Sequence, residues 1–362
     1  MDEAAVHELL SGRTPGAAAT LLRGGLRLVA SVYSSVMMVR NAAYQRQWLK
    51  VHRTAVPVVS LGNITTGGTG KTPMAAWLAN WFVAEGRKPG LLSRGYRTLD
   101  AAQPDQGSAS TSPGGNDEKL VLDRLCPGVP HLQQKDRYQS SLRAVQEFGC
   151  DVLLLDDGFQ HRRLHRDLDL VLIDALQPWG YGHVLPRGLL RETRSGLARA
   201  DLILITRADQ CSEQERTALR SELRRFCGDV ECLEIAFKPS RCVDLHWQSH
   251  SLSSVAEKKA IAFCGIGNPR GFERTVLSTG VKCEQIEHFA DHHHYSPDDL
   301  SKLAQLARAA SAEVVLTTQK DLVKIAPTLW QGPLLLAVEI GVEFISGREV
   351  LESRLHQLLK NS

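Results

Sequence analysis

The chain has 362 residues, with 43 Lys and Arg against 40 Asp and Glu for a formal net charge of +3. That length carries one large or two moderate α/β domains around a sizeable core, and so small a charge excludes nucleic acid as the partner of the whole molecule. Eight cysteines, at 126, 150, 211, 227, 232, 242, 264 and 283, make no CxxC pair, which excludes a disulfide framework or zinc ribbon and fits a reducing cytoplasm.

The chain opens on acidic residues, with no cationic n-region or cleavage site leading an apolar core, so no secretory signal is expected. Between Ser11 and Val56 there are seven basic residues (Arg13, Arg23, Arg27, Arg40, Arg46, Lys50 and Arg53) and no acidic one. Residues 14–50 favour helix, with Leu22, Leu26, Val29, Tyr33 and Val36 at three-four spacing. This pattern suits an interfacial helix whose arginines meet anionic lipid, and equally a helix packed on its own domain. The longest charge-free run in this region, between Arg27 and Arg40, is twelve residues. A bilayer span needs ~20.

From Val56 onward apolar runs alternate with helical stretches: "VPVVSLG", "GLLSRGY", "DVLLLDDG", "LDLVLIDA" and "ADLILITRAD". Such runs predict the buried parallel strands of a doubly wound sheet. Between the first two lies "TTGGTGKT", joining an apolar strand to a helix. Glycines turn backbone N–H groups toward phosphate oxygens, the helix N-terminus adds its dipole, Lys71 reaches the β and γ phosphates, and Thr72 holds Mg²⁺. Thr65 replaces the first glycine of the usual P-loop pattern, and Gly67 and Gly68 bring the motif to a GGxGK[ST] variant. Thr65, Thr66, Gly67, Gly68, Thr69, Gly70, Lys71 and Thr72 are therefore the expected nucleotide-binding residues.

The stretch "LDAAQPDQGSASTSPGGND" has almost no large apolar residue and predicts a mobile loop at 100–116. In "DVLLLDDGFQH" Val152 to Leu155 precede Asp156 and Asp157 at a strand's carboxyl end, where α/β sheets bind ligands. Asp156 is the expected second magnesium-side group, and Asp157 joins the expected catalytic set. The segment Thr206-Arg207-Ala208-Asp209 echoes the motif by which switch GTPases read guanine, with Arg in place of its Lys. After about 228 the texture changes, and "ECLEIAFKPSRCVDLHW" reads as two extended strands before strand-helix alternation resumes. His292, His293 and His294 invite a metal site, but consecutive side chains face different ways and cannot all reach one ion.

These residues carry a resemblance. "SLGNITTGGTGKTP", "LLSRGY", "NDEKLVL", "DDGFQHRRLHRDLDLVLIDA", "LPRGLLRE", "FADHHHY" and "TTQKDLVKI" in order resemble the tetraacyldisaccharide 4'-kinases, in a match that runs from about Leu21 to Lys324. The resemblance implies transfer of the γ-phosphoryl group of ATP, with Mg²⁺, to the 4'-hydroxyl of a tetraacyl glucosamine disaccharide 1-phosphate, the lipid A precursor. It also implies a peripheral or monotopic enzyme at the cytoplasmic face of the bacterial inner membrane, where 14–50 would meet the anionic surface. No obligate protein partner is evident. The family's general-base aspartate, in a Gly-Asp-Glu-Pro-like segment, falls on Asp117, with Asn116 and Lys119 departing from that pattern. Its histidine partner falls on His292, beside Asp291. An anionic sugar calls for arginines, and Arg94, Arg97, Arg162 and Arg163, with His161, are the expected substrate-binding residues. For the arginines near Asp167 and Asp169, salt bridges are the alternative.

The expected architecture is a P-loop NTPase-like, mostly parallel sheet flanked by helices, with an amphipathic N-terminal helix and a smaller C-terminal α/β domain. The expected segments are 1–55, a kinase core at 56–228, a two-stranded linker at 229–258 and a C-terminal domain at 259–362. A nucleotide switch, or a membrane adaptor with a vestigial P-loop, are the competing readings.

Overall fold

The computed structural model describes residues 3–95 and 117–360. The predicted mobile loop at 100–116 and the candidate Arg97 lie outside the described residues.

Two helices lead the chain, α1 (Glu3–Ser11) and α2 (Ala17–Gln45). On α2, Leu26, Ala30, Tyr33, Met37, Asn41 and Tyr44 turn wholly or partly toward the body at three-four spacing. Leu21, Leu28, Val32 and Val39 form a second stripe that is 77, 73, 66 and 69% exposed. The stripe read from sequence is divided between the faces: Leu22, Val29 and Val36 are exposed, whereas Leu26 and Tyr33 are partly covered. The helix is apolar on two sides, so periodicity alone picked the border between them. The packed-helix reading describes the inner face, and the outer apolar stripe is left exposed.

The P-loop half follows: β1 (Val58–Asn63), α3 (Lys71–Ala84), β2 (Pro89–Ser93), α4 (Asp117–Leu125), β3 (His131–Gln133), α5 (Arg137–Phe148), β4 (Val152–Asp156), β5 (Leu168–Asp174), β6 (Leu202–Thr206) and α6 (Glu213–Cys227). Its strands lie in the order β6-β5-β1-β4-β2-β3 and pair in parallel. Continuous apolar runs suit this place because helices cover both faces. Every residue of β1 and β6 is buried.

The sheet does not stop at β6. Strand β7 (Glu231–Asp244) pairs in parallel with β6 and antiparallel with the short β8 (Ser249–His250). Beyond it lie β9 (Lys259–Cys264), α7 (Pro269–Ser278), β10 (Lys282–His288), α8 (Pro297–Ala309), β11 (Val314–Thr318), the short α9 (Gln319–Leu322), β12 (Leu334–Ser346) and α10 (Arg348–Lys360). One sheet spans both halves, continuing from β7 through β12, β11 and β9 to β10.

The segment 229–258 holds two strands, β7 and β8, but the stretch read as two extended strands, "ECLEIAFKPSRCVDLHW", is one strand through Asp244. A single long strand, β7, pairs antiparallel along nearly its whole length with β12, from Leu336↔Asp244 to Ser346↔Glu234. The chain end also differs from the expected 259–362 unit. Leu351 and Leu355 of α10, with Leu358 and Leu359, pack with Trp77, Trp81 and Phe344 in the P-loop core. Strand β12 is long enough to carry the chain back across the ribbon, and the leucine stripe of α10 then covers α3.

The ribbon sets the site. Thr206 at the end of β6 lies beside Ile235, and Thr318 at the end of β11 lies beside Val338, which faces Cys242. Strands β6 and β11 therefore run toward each other along the ribbon. Their carboxyl ends, where parallel sheets bind ligands, meet across the middle of β7.

Candidate active site

Strand β1 delivers the chain into the P-loop, and Gly70, at φ 88°, caps α3 so that Lys71 is its first residue. Gly67 also has a positive φ of 115°, and it and Gly68 have nothing within 4 Å of a would-be Cβ, so the loop's backbone lies open. Asn63 Nδ2 donates to Thr69 Oγ1 at 2.9 Å, and the Thr66 N–H donates to the Leu189 carbonyl at 2.8 Å. Thr65 is buried and bridges to Leu190. The result is an open glycine turn at a helix N-terminus, a geometry suited to cradling phosphate.

Strand β4 ends beside it. Lys71 Nζ lies 3.5 Å from Asp157 Oδ1, and Arg191 Nη1 donates to both Asp157 oxygens, at 2.8 and 2.6 Å. Burial raises the Asp157 carboxyl, but Lys71 and Arg191 outweigh it and hold it below the usual range. Asp156 differs: its Oδ1 is buried without a partner, and burial, against the pull of Lys71, pushes its carboxyl up to about 6. An orphaned carboxylate oxygen at this strand end fits a hard cation, with Thr72 on the adjoining helix turn.

The third component crosses between the two halves. Asp117, 8% exposed at the start of α4, meets His292 from the loop after β10, with Nδ1 2.9 Å from Oδ2. Burial raises the Asp117 carboxyl, yet His292, Lys320 and Lys324 together lower it. His292 has a φ of 58°, with its N–H donating to the Gly265 carbonyl at 3.1 Å. His293 turns instead to Asp299 at 3.1 Å and stacks on Phe289. The histidine run thus divides as backbone geometry requires, and no cluster fit to hold a metal occurs among the described residues.

The candidate substrate residues separate. Arg94 is exposed at the carboxyl end of β2. His161 Nε2 is buried and unpartnered, and burial with nearby Arg137 and Arg166 pushes its ring down to about 4. Arg162 instead holds α2: Nη1 donates to the Asn41 carbonyl at 2.9 Å and the guanidinium lies over the Tyr44 ring. Arg163 pairs with Asp136 at 3.1 Å. Arg166 makes the salt bridge with Asp169 expected as an alternative, at 2.7 Å.

The charged residues of Thr206-Arg207-Ala208-Asp209 already have partners. Arg207 donates to Asp174 at 2.7 Å and to the Gly68 carbonyl, and Asp209 accepts from Lys238 at 2.6 Å. Asp209 is thus tied to β7 rather than presented to a base.

The family model for tetraacyldisaccharide-1-P 4'-kinase matches residues 22–360. The chain belongs to that family. A tetraacyldisaccharide 4'-kinase of Anaeromyxobacter dehalogenans is 36% identical over 348 residues, covering 94% of this chain and 92% of that one. One from Bdellovibrio bacteriovorus is 33% identical over 342 residues, covering 93% and 98%. The crystal structure of LpxK from Aquifex aeolicus in complex with ATP matches at a TM-score of 0.74 and 26% identity, over 93% of this chain and 99% of that one.

Within the family's frame, several site residues escaped the sequence reading. Arg191 lies in the quoted "LPRGLLRE", but nothing in its spacing predicts that it reaches Asp157. Gln160 donates to the Asn63 carbonyl at 2.9 Å and to Glu192 at 2.8 Å, tying β1 to that same loop. Arg137 is buried with Nε unpartnered, close enough to Asp156 and Asp157 to feel their charge. The "DR" at the start of α5 is its only trace in the sequence.

Proposed function

We propose that this chain performs its family's reaction with a P-loop half that holds ATP and an aspartate-histidine pair, assembled from both halves, that receives the acceptor hydroxyl. The activity itself comes with the family: ATP-dependent phosphorylation of a tetraacyldisaccharide 1-phosphate at its 4' position, in lipid A biosynthesis. The observation that carries the assignment of roles is the 2.9 Å contact of His292 with Asp117.

Phosphoryl transfer needs positioning and charge stabilisation more than covalent chemistry. Backbone donors of Gly67, Gly68 and Gly70 and the Lys71 ammonium hold the β and γ phosphates. Thr72 and Asp156 would hold Mg²⁺, which supplies neutralisation of phosphate charge. Asp157, fixed by Arg191, keeps Lys71 directed into the loop. Asp117 accepts the proton of the 4'-hydroxyl, and His292 Nδ1 holds its carboxylate in place. Arg94, Arg97 and His161 stand as the residues that meet the sugar, while Arg162 and Arg163 act through α2 and α5.

The open apolar stripe of α2, with Arg27 alongside, supports attachment to an anionic membrane surface, at the cytoplasmic face of the inner membrane. No helix among the described residues is long and apolar enough to cross a membrane. The lipid would reach the site from this surface, because α2 is bound to the site loops: Tyr33 Oη donates to the Arg191 carbonyl at 2.7 Å and Arg40 to the Gln160 carbonyl at 2.9 Å.

The test is Asp117→Ala in the full chain, assayed for lipid phosphorylation and, separately, for ATP binding. Loss of transfer by at least ~10² with ATP affinity kept supports the base. Collapse of nucleotide binding would move Asp117 to the phosphate side.

A further inference from the structure

Asp117 is held by more than His292. The segment "TTQKDLVK" at the end of β11 places two lysines against the start of α4. Lys320 Nζ donates to Glu118 Oε1 at 2.6 Å. Lys324 Nζ lies 3.6 Å from Asp117 Oδ2 and 3.4 Å from Asp321 Oδ1, with its side chain only 10% exposed. Asp321 is fully buried, and its Oδ2 accepts from the Gly265 N–H at 3.1 Å and from Thr318 Oγ1 at 2.7 Å. Gly265 is the residue whose carbonyl receives the His292 N–H. A buried carboxylate in the C-terminal half thus anchors both the lysine and the loop of the histidine that reach Asp117.

We propose that Lys324, anchored by Asp321, is a positioning residue for the transfer: it fixes the Asp117 carboxylate against His292, so that the base is complete only where α9 is docked on α4. This rests on the reading of Asp117 as the general base. A surface ion pair would carry little weight, but an ammonium this buried must stay paired, and both its partners are carboxylates. The other charged groups facing Asp117 are His292 from the loop after β10 and Lys320 from α9. On its own helix, Glu118 donates its N–H to Asp117 Oδ1 at 3.1 Å, and Lys119 pairs with Asp123.

The sign follows from these charges. With Lys324 present the carboxylate stays ionised below the ordinary aspartate range, because the cations outweigh its burial. Without Lys324, one of the three cations that oppose burial is lost, the carboxyl rises, and the acid limb of the rate moves to higher pH.

The experiment measures kcat, KM for the lipid, ATP affinity and thermal stability from pH 5 to 9 for Lys324→Met, Lys324→Arg, Asp321→Asn and Asp117→Asn. Lys324→Met is expected to lose roughly tenfold or more in kcat at the acid end, recovering toward alkaline pH, with ATP affinity kept. Lys324→Arg, which keeps the charge, is expected to restore the acid limb, and it serves as the folded comparison if Lys324→Met is unstable. Asp321→Asn is expected to move the limb in the same direction. A wild-type profile in Lys324→Met, or a pH-independent loss that Lys324→Arg does not rescue, overturns the positioning role. Loss of transfer in Asp117→Asn beside an unmoved Lys324→Met profile overturns this proposal alone. Full transfer in Asp117→Asn overturns the base reading beneath it.

Discussion

Lys71 and Arg191 converge on one carboxylate, Asp157, from the P-loop helix and from the "LPRGLLRE" loop. Lys71→Ala removes the only one of these cations that belongs to the phosphate cradle, so kcat should fall by about 10² or more, as electrostatic contacts in transfer sites do. Steady-state kinetics check it, and near-wild-type turnover would contradict the P-loop assignment. Gly70 makes a sharper case. Its φ is 88°, and an added Cβ would run into the Phe237 ring. Gly70→Ala should therefore abolish tight ATP binding, measured by titration. Adding Phe237→Ala should recover part of it, leaving the backbone strain of about 1–2 kcal/mol. The glycine was legible in "GGTGKT", because phosphate cradles need open backbone. Phe237 was not, because it arrives on β7 from a distant stretch whose pattern says strand and nothing about what the strand covers.

At the scale of elements, α2 teaches the same lesson from the other side. Its three-four pattern was legible, and so was its positive charge, but the pattern could not choose between apolar faces. Tertiary contacts decide: the face carrying Ala30 and Tyr33 is taken by the site loops, and the face carrying Leu21, Leu28, Val32 and Val39 is left open. Leu28→Ser with Val32→Ser should weaken partition onto anionic vesicles by about tenfold per residue, from lost apolar burial. Added salt and depletion of anionic lipid should weaken it further, through the arginines. Co-sedimentation measures both. Binding unchanged by either would leave α2 as a packed helix only.

For the whole molecule, the alternating strands and helices were enough to read a parallel sheet, and the P-loop and "LLLDD" placed nucleotide at its carboxyl edge. How the C-terminal half joins it was not legible. The ribbon of β7 and β12 pairs segments far apart in the chain, and only its register turns β6 and β11 toward each other. That reversal brings "DHHHY" to Asp117, a meeting the resemblance implied and local sequence could not derive. A nucleotide switch would need none of it, and the pairing of Asp209 with Lys238 disfavours guanine recognition. The most direct measurement is transfer from γ-labelled ATP to tetraacyl disaccharide 1-phosphate in mixed micelles with Mg²⁺, with GTP as donor and a no-lipid control in parallel. Labelled lipid with ATP, and little label in the control, is the result this account predicts. Phosphate release without labelled lipid, or turnover confined to GTP, would contradict it.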